Sequence, residues 1–301
     1  MKTLSSHFRA ILYALAGYSF WVGADSFIKL AGAMAAPKYE SIGIAAFSGM
    51  VILFVMAGMR GRLANLRPRH FAGLGAMSFF MILTYAFVML GMRVLPLVNF
   101  YSVLFAAPIV VSILASFVFH EKMEWQKIAA TFIGFIGVLV AMDIFAARDR
   151  GGWIGYGFAF LNMMVAVAMQ LLVRFLGERE SRESTAFYPR IGPVIACLLA
   201  GAILGFQPMT MKEVFCSCMI GALGSLGWFC VAEAYQRAAV STVAPYQYSQ
   251  IVTGALLGYA LWGDVPTAHL WVGAGIITLA GIYITMHTHR APVAPEIMET
   301  R

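Results

Sequence analysis

Charged residues are scarce in this sequence. They make up 12% of its 301 residues, whereas the AVILMFWYC set makes up 61% and the mean hydropathy is +0.80. Soluble globular domains contain roughly 25% charged residues, because their surfaces must face water. The shortage excludes an ordinary soluble domain and predicts an all-α integral membrane protein.

The sequence also lacks the usual marks of catalysis and of metal or nucleic-acid binding. Its four cysteines have no metal-ligand spacing and no nearby histidine, so we expect no metal. There is no Ser-His-Asp pattern and no nucleotide-binding glycine loop, which argues against an enzyme and against any cofactor. No basic run is long enough to suggest nucleic acid, although the net charge is +7.

Long apolar runs fill nearly the whole chain, and Pro, Gly or charged clusters separate them. A spanning helix needs about 20 apolar residues. The pattern predicts ten transmembrane helices, at residues 10–34, 39–59, 71–92, 95–119, 125–142, 152–174, 187–206, 212–235, 240–262 and 268–287. This count leaves no room for a separate soluble domain.

Lysine and arginine are distributed unevenly between the two sets of predicted loops. With a cytoplasmic N-terminus, fifteen of the 21 Lys and Arg residues, Arg190 among them, lie inside and five outside, while Lys29 lies within the membrane. Cytoplasmic loops carry the excess of these residues. We therefore expect a multi-pass protein of the inner (cell) membrane with both termini in the cytoplasm.

The second half of the sequence repeats the first at a shift of 144 residues. The shift pairs Arg93 with Arg237, Gly137 with Gly281 and Met142 with Met286. Each half holds five predicted helices, so the second half must insert upside down, as in the inverted repeats of secondary transporters. The predicted units are residues 1–147, 148–290 and a cytoplasmic tail, 291–301.

Two stretches resemble a known family. They are "MRVLPLVNFYSVLFAAPIVVSILASFVFHEKMEWQKIAATFIGFIGVLV" and "AYQRAAVSTVAPYQYSQIVTGALLGYALWGDVP". Both are similar to the EamA-type branch of the drug/metabolite transporter superfamily. The resemblance implies two inverted five-helix repeats, a central cavity and alternating access. It does not imply one substrate, since family members carry amino acids, vitamins and cofactors.

This chain departs from the family at several positions. Many relatives carry an arginine where Ser48 stands and an acid where Gln247 stands, and a histidine is common at the position of Trp228. These differences weaken the transfer of any relative's substrate to this chain.

An acid and a base lie inside the first apolar run. Asp25 and Lys29 are four residues apart, so they share one helix face and can pair. Charges inside a membrane are costly and commonly mark a solute or proton path. The alternative is a neutral pair that only braces helix one, and the sequence leaves both readings open.

Helices four and nine supply the other candidates through the repeat. Helical spacing predicts that polar residues of both helices form one stripe facing the cavity. With the uncommon aromatic and charged residues of the other spans, the predicted substrate-binding set is Tyr18, Trp21, Asp25, Lys29, Tyr85, Asn99, Ser102, Trp228, Tyr246 and Gln250.

These residues favour a secondary transporter that moves a small polar organic metabolite, an amino acid or a derivative of one, out of the cell. Without an ATP-binding motif, the energy must come from a gradient, through a coupling proton or an exchanged solute. The alternative is uptake or exchange of a vitamin or cofactor such as riboflavin or S-adenosylmethionine. An accessory membrane protein is the alternative outside transport. The expected partners are a small-molecule substrate and the lipid bilayer.

Overall fold

The computed structural model of the protein is helical throughout the part that it describes. The described residues are 6–30, 39–94, 97–119, 125–143, 152–177, 179–263, 265 and 267–288. The α-helices are α1 Ser6–Leu30, α2 Tyr39–Met59, α3 Phe71–Val94, α4 Leu97–Leu104, α5 Ala107–Val118, α6 Trp125–Ala141, α7 Trp153–Leu176, α8 Arg182–Phe187, α9 Ile191–Leu204, α10 Met211–Arg237, α11 Val240–Val243, α12 Ser249–Trp262 and α13 Ala268–Thr288. Short 3-10 turns lie at Leu63–Leu66, Tyr188–Arg190 and Ala244–Tyr248.

Several helices are long and apolar enough to cross a bilayer. Within the described residues, length and composition qualify six segments: Tyr39–Met59, Phe71–Gly91, Phe100–Val118, Trp153–Leu176, Arg182–Leu204 and Met211–Arg237. The apolar helices Ile128–Ala141 and Ala268–Ile284 are shorter. Large apolar side chains are exposed along many of these helices, Trp153 and Ile203 among them. Such a surface is stable in lipid and not in water.

The helices form a bundle with a regular set of neighbours. Helix α1 packs along α10, and α3 packs along α7. Helix α2 contacts both α9 and α10, while α6 and α13 pack against each other. Between these pairs, α5 meets α11 and the turn at Ala244–Tyr248.

Glycines permit the closest of these approaches. A Cβ atom at Gly17 would lie 2.8 Å from the carbonyl oxygen of Gly227, and one at Gly227 would lie 2.9 Å from that of Gly17. The backbones of α1 and α10 therefore touch at this point, which is the small-residue packing common between membrane helices.

Two segments that the sequence predicts as single helices are interrupted. The first breaks at Phe105 and Ala106, just before Pro108, and the second breaks at the 3-10 turn Ala244–Tyr248, which contains Pro245. Proline lacks a backbone N–H and clashes with the preceding turn, so it disfavours an unbroken helix. The stripes that uniform helical spacing predicts along these two helices are therefore interrupted at these points.

At one end of the bundle, the segment before α3 is fastened to the segment around α8. The Ser181 and Ser184 hydroxyls both donate to the carbonyl oxygen of Asn65, and the Tyr188 hydroxyl donates to that of Leu66 at 2.9 Å. The buried Glu180 carboxylate accepts the backbone N–H groups of Arg69 and His70. We refer to these contacts between residues 65–70 and 180–188 as the loop latch.

Ion pairs surround the loop latch. Glu183 lies 3.6 Å from Arg62, and the buried Glu233 carboxylate lies 3.2 Å from Arg182 and 2.7 Å from Arg237. At the opposite end of the bundle, Glu40 accepts the backbone N–H of Gln207 at 2.8 Å. Helices α2 and α9 are thus held together at both of their ends.

Candidate functional site

Three buried polar side chains join α1, α7 and α10. The Tyr235 hydroxyl donates to Gln170 Oε1 at 2.7 Å and lies 3.3 Å from the Tyr18 hydroxyl. Because Tyr235 has a single proton, which it gives to Gln170, Tyr18 is the donor in the second bond. Tyr18 belongs to the predicted site, but it is fully buried, so it positions helices and does not line an open space.

Two tryptophans from different helices lie next to this chain of hydrogen bonds. The rings of Trp21 and Trp228 stack with centroids 5.9 Å apart, and Tyr18 meets Trp21 edge-on at 5.5 Å. The Trp21 Nε1–H donates to the carbonyl oxygen of Gly224 at 3.2 Å, and the Trp228 Nε1–H donates to that of Thr185 at 3.1 Å. These bonds fix both rings, which we call the tryptophan pair.

Trp21 keeps part of its surface accessible, whereas Trp228 is buried. Since Trp228 covers one face of the Trp21 ring, the accessible part is available to a planar solute. Aromatic rings bind flat, partly apolar compounds by stacking, and they also attract cations.

Asp25 lies one turn further along α1 than Trp21, a rise of about 6 Å. Its side chain is exposed in the structure. Its carboxylate interacts electrostatically with the Tyr101 hydroxyl of α4. The structure therefore places an acid one turn from the tryptophan pair. The side chain of Lys29 lies outside the described part.

The sequence analysis missed Arg190, which it counted among the loop cations. Arg190 ends the 3-10 turn before α9 and is 5% exposed. Its guanidinium donates to the carbonyl oxygen of Ala186 and, at 3.4 Å, to that of Gly224, the oxygen that also accepts from Trp21. The Tyr85 hydroxyl, a predicted site residue, lies within electrostatic range of this guanidinium.

The other predicted residues are placed as follows. Ser102 and Tyr246 are buried and Gln250 is partly exposed. The side chain of Asn99 lies outside the described part. The residues brought together around Gly224 are Trp21, Trp228, Tyr85 and Arg190, with Asp25 one turn away along α1.

An internal polar and aromatic cluster in an apolar helical bundle is the arrangement of a membrane protein that admits a solute. Comparison with known proteins agrees with this class. The model of the EamA-like transporter family matches residues 8–142 and again residues 153–286. The chain belongs to this family and is a membrane transporter.

The individual relatives share only about a quarter of their residues with this chain. The chain is similar to the S-adenosylmethionine uptake transporter of Rickettsia bellii, with 25% identity over 81% of this chain and 82% of that protein. It is also similar to the riboflavin transporter of Vibrio cholerae, with 26% identity over 61% of each chain. One solved crystal structure matches 95% of this chain and 100% of its own, with a TM-score of 0.79 at 15% identity, and thus shares the fold.

Proposed function

We propose that this protein is a secondary transporter that takes up a vitamin or cofactor containing a planar ring and charged groups. The observation that carries the proposal is the tryptophan pair, with Asp25 one turn along α1 and with Arg190 bonded to the Gly224 carbonyl oxygen that also accepts from Trp21. A planar ring can stack on Trp21. A cationic group can pair with Asp25, and an anionic group can pair with Arg190 once the buried guanidinium is uncovered.

The relatives' names favour this substrate class over the amino-acid export that the sequence alone suggested. They name uptake of S-adenosylmethionine and transport of riboflavin. Both compounds contain a flat heteroaromatic ring system, and S-adenosylmethionine also carries positive and negative groups. The aromatic and charged groups around Gly224 suit the same chemistry.

The architecture that we propose is ten spans in two inverted repeats, residues 1–147 and 148–290, followed by the tail 291–301. The double match of the family model supports it. If each helix is replaced by its counterpart in the other half, the packing of α1 on α10 becomes the packing of α7 on α3, which is also present. The pairs α2 with α9 and α6 with α13 each consist of two counterparts. The interrupted segments 97–118 and 240–262 are also counterparts.

Transport in such a protein proceeds by alternating access, in which the two halves move around a site between them. The solute passes unchanged, so no catalytic group is required. A proton bound at Asp25 or an exchanged solute would supply the energy. The loop latch holds α2 and α9 together at one end of the bundle. We propose that the latch opens when the site faces that end.

The proposed orientation places the loop latch in the cytoplasm of a cell with an inner membrane. We expect a cysteine at exposed Met211 to react with an impermeant thiol reagent added outside intact cells, and one at exposed Ala64 to remain unlabelled. The four native cysteines are replaced by serine, and labelling after membrane rupture is the control. Labelling of Ala64→Cys alone would reverse the orientation.

Proteoliposomes that contain only this protein provide the test of function. We expect saturable accumulation of labelled S-adenosylmethionine or riboflavin. Stacking on an aromatic side chain contributes about 1–3 kcal/mol, so Trp21→Ala should lower uptake by roughly tenfold or more, while Trp21→Phe retains most of it.

The matched control is Trp153→Ala, because Trp153 is 91% exposed and lies on α7 away from the cluster. Failure of the wild-type protein to accumulate either compound would overturn the proposed substrate class. Equal losses in the Trp21→Ala and Trp153→Ala proteins would remove Trp21 from the site.

A further inference from the structure

Arg190 is a buried cation that has no carboxylate partner among the described residues. Within the described part of the chain, its guanidinium bonds only to two backbone carbonyl oxygens, those of Ala186 and Gly224. Removing an ion from water costs several kcal/mol unless a partner of opposite charge compensates it. A guanidinium has five N–H donors, so three remain for another acceptor.

Three other arginines near the loop latch have carboxylate partners. Arg62 pairs with Glu183, and both Arg182 and Arg237 pair with Glu233. Those arginines are also more exposed than Arg190. The most deeply buried of these cations is thus the one that lacks a carboxylate.

A second buried polar group lies beside Arg190 and also lacks a partner. Ser225 of α10 has 0% exposure, and its Oγ has no hydrogen-bond partner in the described part of the chain. A Cβ atom at Gly49 of α2 would lie 2.1 Å from this Oγ and 2.9 Å from Arg190 Nε. Both groups therefore border the same point, where α2 has no side chain.

Buried polar groups are nearly always satisfied, and exceptions at functional sites call for an explanation. A free hydroxyl donor and three free guanidinium donors next to each other match an oxygen anion. Arginine is suited to such a ligand, because its planar fork binds carboxylate and phosphate with two parallel hydrogen bonds.

We infer that Arg190 and Ser225 bind the anionic group, carboxylate or phosphate, of the transported solute. The inference rests on the proposed function and restricts it to solutes that carry an anion. The anion site adjoins the tryptophan pair, because the Gly224 carbonyl oxygen accepts from both Trp21 and Arg190. A ring on Trp21 and an anion at Arg190 can thus belong to one small molecule.

The structure shows this site closed. Arg190 is 5% exposed, α2 covers it at Gly49, and the loop latch lies directly before it in the chain. An anion reaches the guanidinium when α2 separates from the Tyr188–Arg190 turn. Binding of the solute and the separation of α2 from this turn are therefore parts of one event.

Two pairs of compounds test the inference, and the two members of each pair differ by one anionic group. They are S-adenosylmethionine with its decarboxylated form, and flavin mononucleotide with riboflavin. Calorimetric titration of the purified protein should give a preference for the anionic member of one pair. We expect about tenfold or more in affinity, the size of effect seen when one partner of a buried charge pair is removed. The first pair identifies a carboxylate and the second a phosphate.

Variants assign the preference to residues. Arg190→Gln should abolish it, and Ser225→Ala should reduce it. Ser225→Ala should not lower the melting temperature, because its hydroxyl has no partner in the free protein. Arg190→Lys keeps the positive charge but loses the planar fork, and it is the second variant to use if Arg190→Gln does not fold. The control is Arg179→Gln, since Arg179 is exposed and stacks on Phe175.

The outcomes separate the two proposals. If the wild-type protein shows no preference within either pair, or if Arg190→Gln weakens both members of the preferred pair equally, the anion site is overturned while cofactor uptake stands. A preference that persists in both Arg190 variants also overturns it. If none of the four compounds binds, the proposed substrate class fails, and the anion site fails with it.

Discussion

Replacing Gly221 with valine is expected to cause the largest loss of folded protein among the changes considered. A Cβ atom at this position of α10 would lie 2.0 Å from the carbonyl oxygen of Ala45 and 2.2 Å from Ser48 Oγ. The first of these is a backbone atom, so α2 and α10 must move apart. Overpacking costs about 1–3 kcal/mol for small additions, and the branched valine should reach or exceed the upper end.

The measurement is the melting temperature of the protein in detergent, together with its amount in the membrane. The matched control is Gly75→Ala on α3, where an added Cβ meets nothing within 4 Å. That change should be neutral or stabilising, since glycine inside a helix is less favourable than alanine by about 1 kcal/mol. A Gly221→Val protein as stable as the wild type would contradict the packing of α2 on α10.

Glu180→Ala is expected to have the next largest effect. The Glu180 carboxylate accepts two backbone N–H groups, from Arg69 and His70, at the start of α3. These donors have no partner in the preceding turn of their own helix, and a carboxylate also suits the positive end of the helix dipole. A hydrogen bond to a charged group contributes about 1.5–3 kcal/mol, so the loss of both bonds should open the loop latch.

The opening can be followed at Ala186, which is fully buried behind the loop latch. A cysteine there should react with a small maleimide much faster in the Glu180→Ala background than in the wild-type background. Glu180→Gln keeps an acceptor oxygen and should change the rate little. Equal rates in all three backgrounds would show that Glu180 does not hold this end closed.

The positions of the helices were predictable because hydropathy and helix breakers act locally. The predicted span 39–59 coincides with Tyr39–Met59, and the span 152–174 differs by one or two residues from Trp153–Leu176. The breaks near Pro108 and Pro245 were missed, because both segments are apolar throughout and the hydropathy pattern hides a local kink. Proline itself was the available signal.

The candidate site was predictable only in part. Trp21, Trp228, Tyr85 and Asp25 stand out as uncommon residues in apolar runs, and the structure places them in or beside one cluster. Arg190 could not be assigned from its neighbours in sequence, because it is buried through Gly49 and Gly224, which lie on other helices. The weak signal was its location between Pro189 and Pro193, immediately before an apolar run.

The hydrogen bonds from Tyr18 through Tyr235 to Gln170 have an electrical consequence. A row of hydroxyl groups can relay protons only if its last member can take one up and release it. Here the last acceptor is an amide oxygen, which binds a proton far too weakly to do so. The row therefore joins three helices across the bundle, and these buried polar groups do not by themselves form a conducting path for protons.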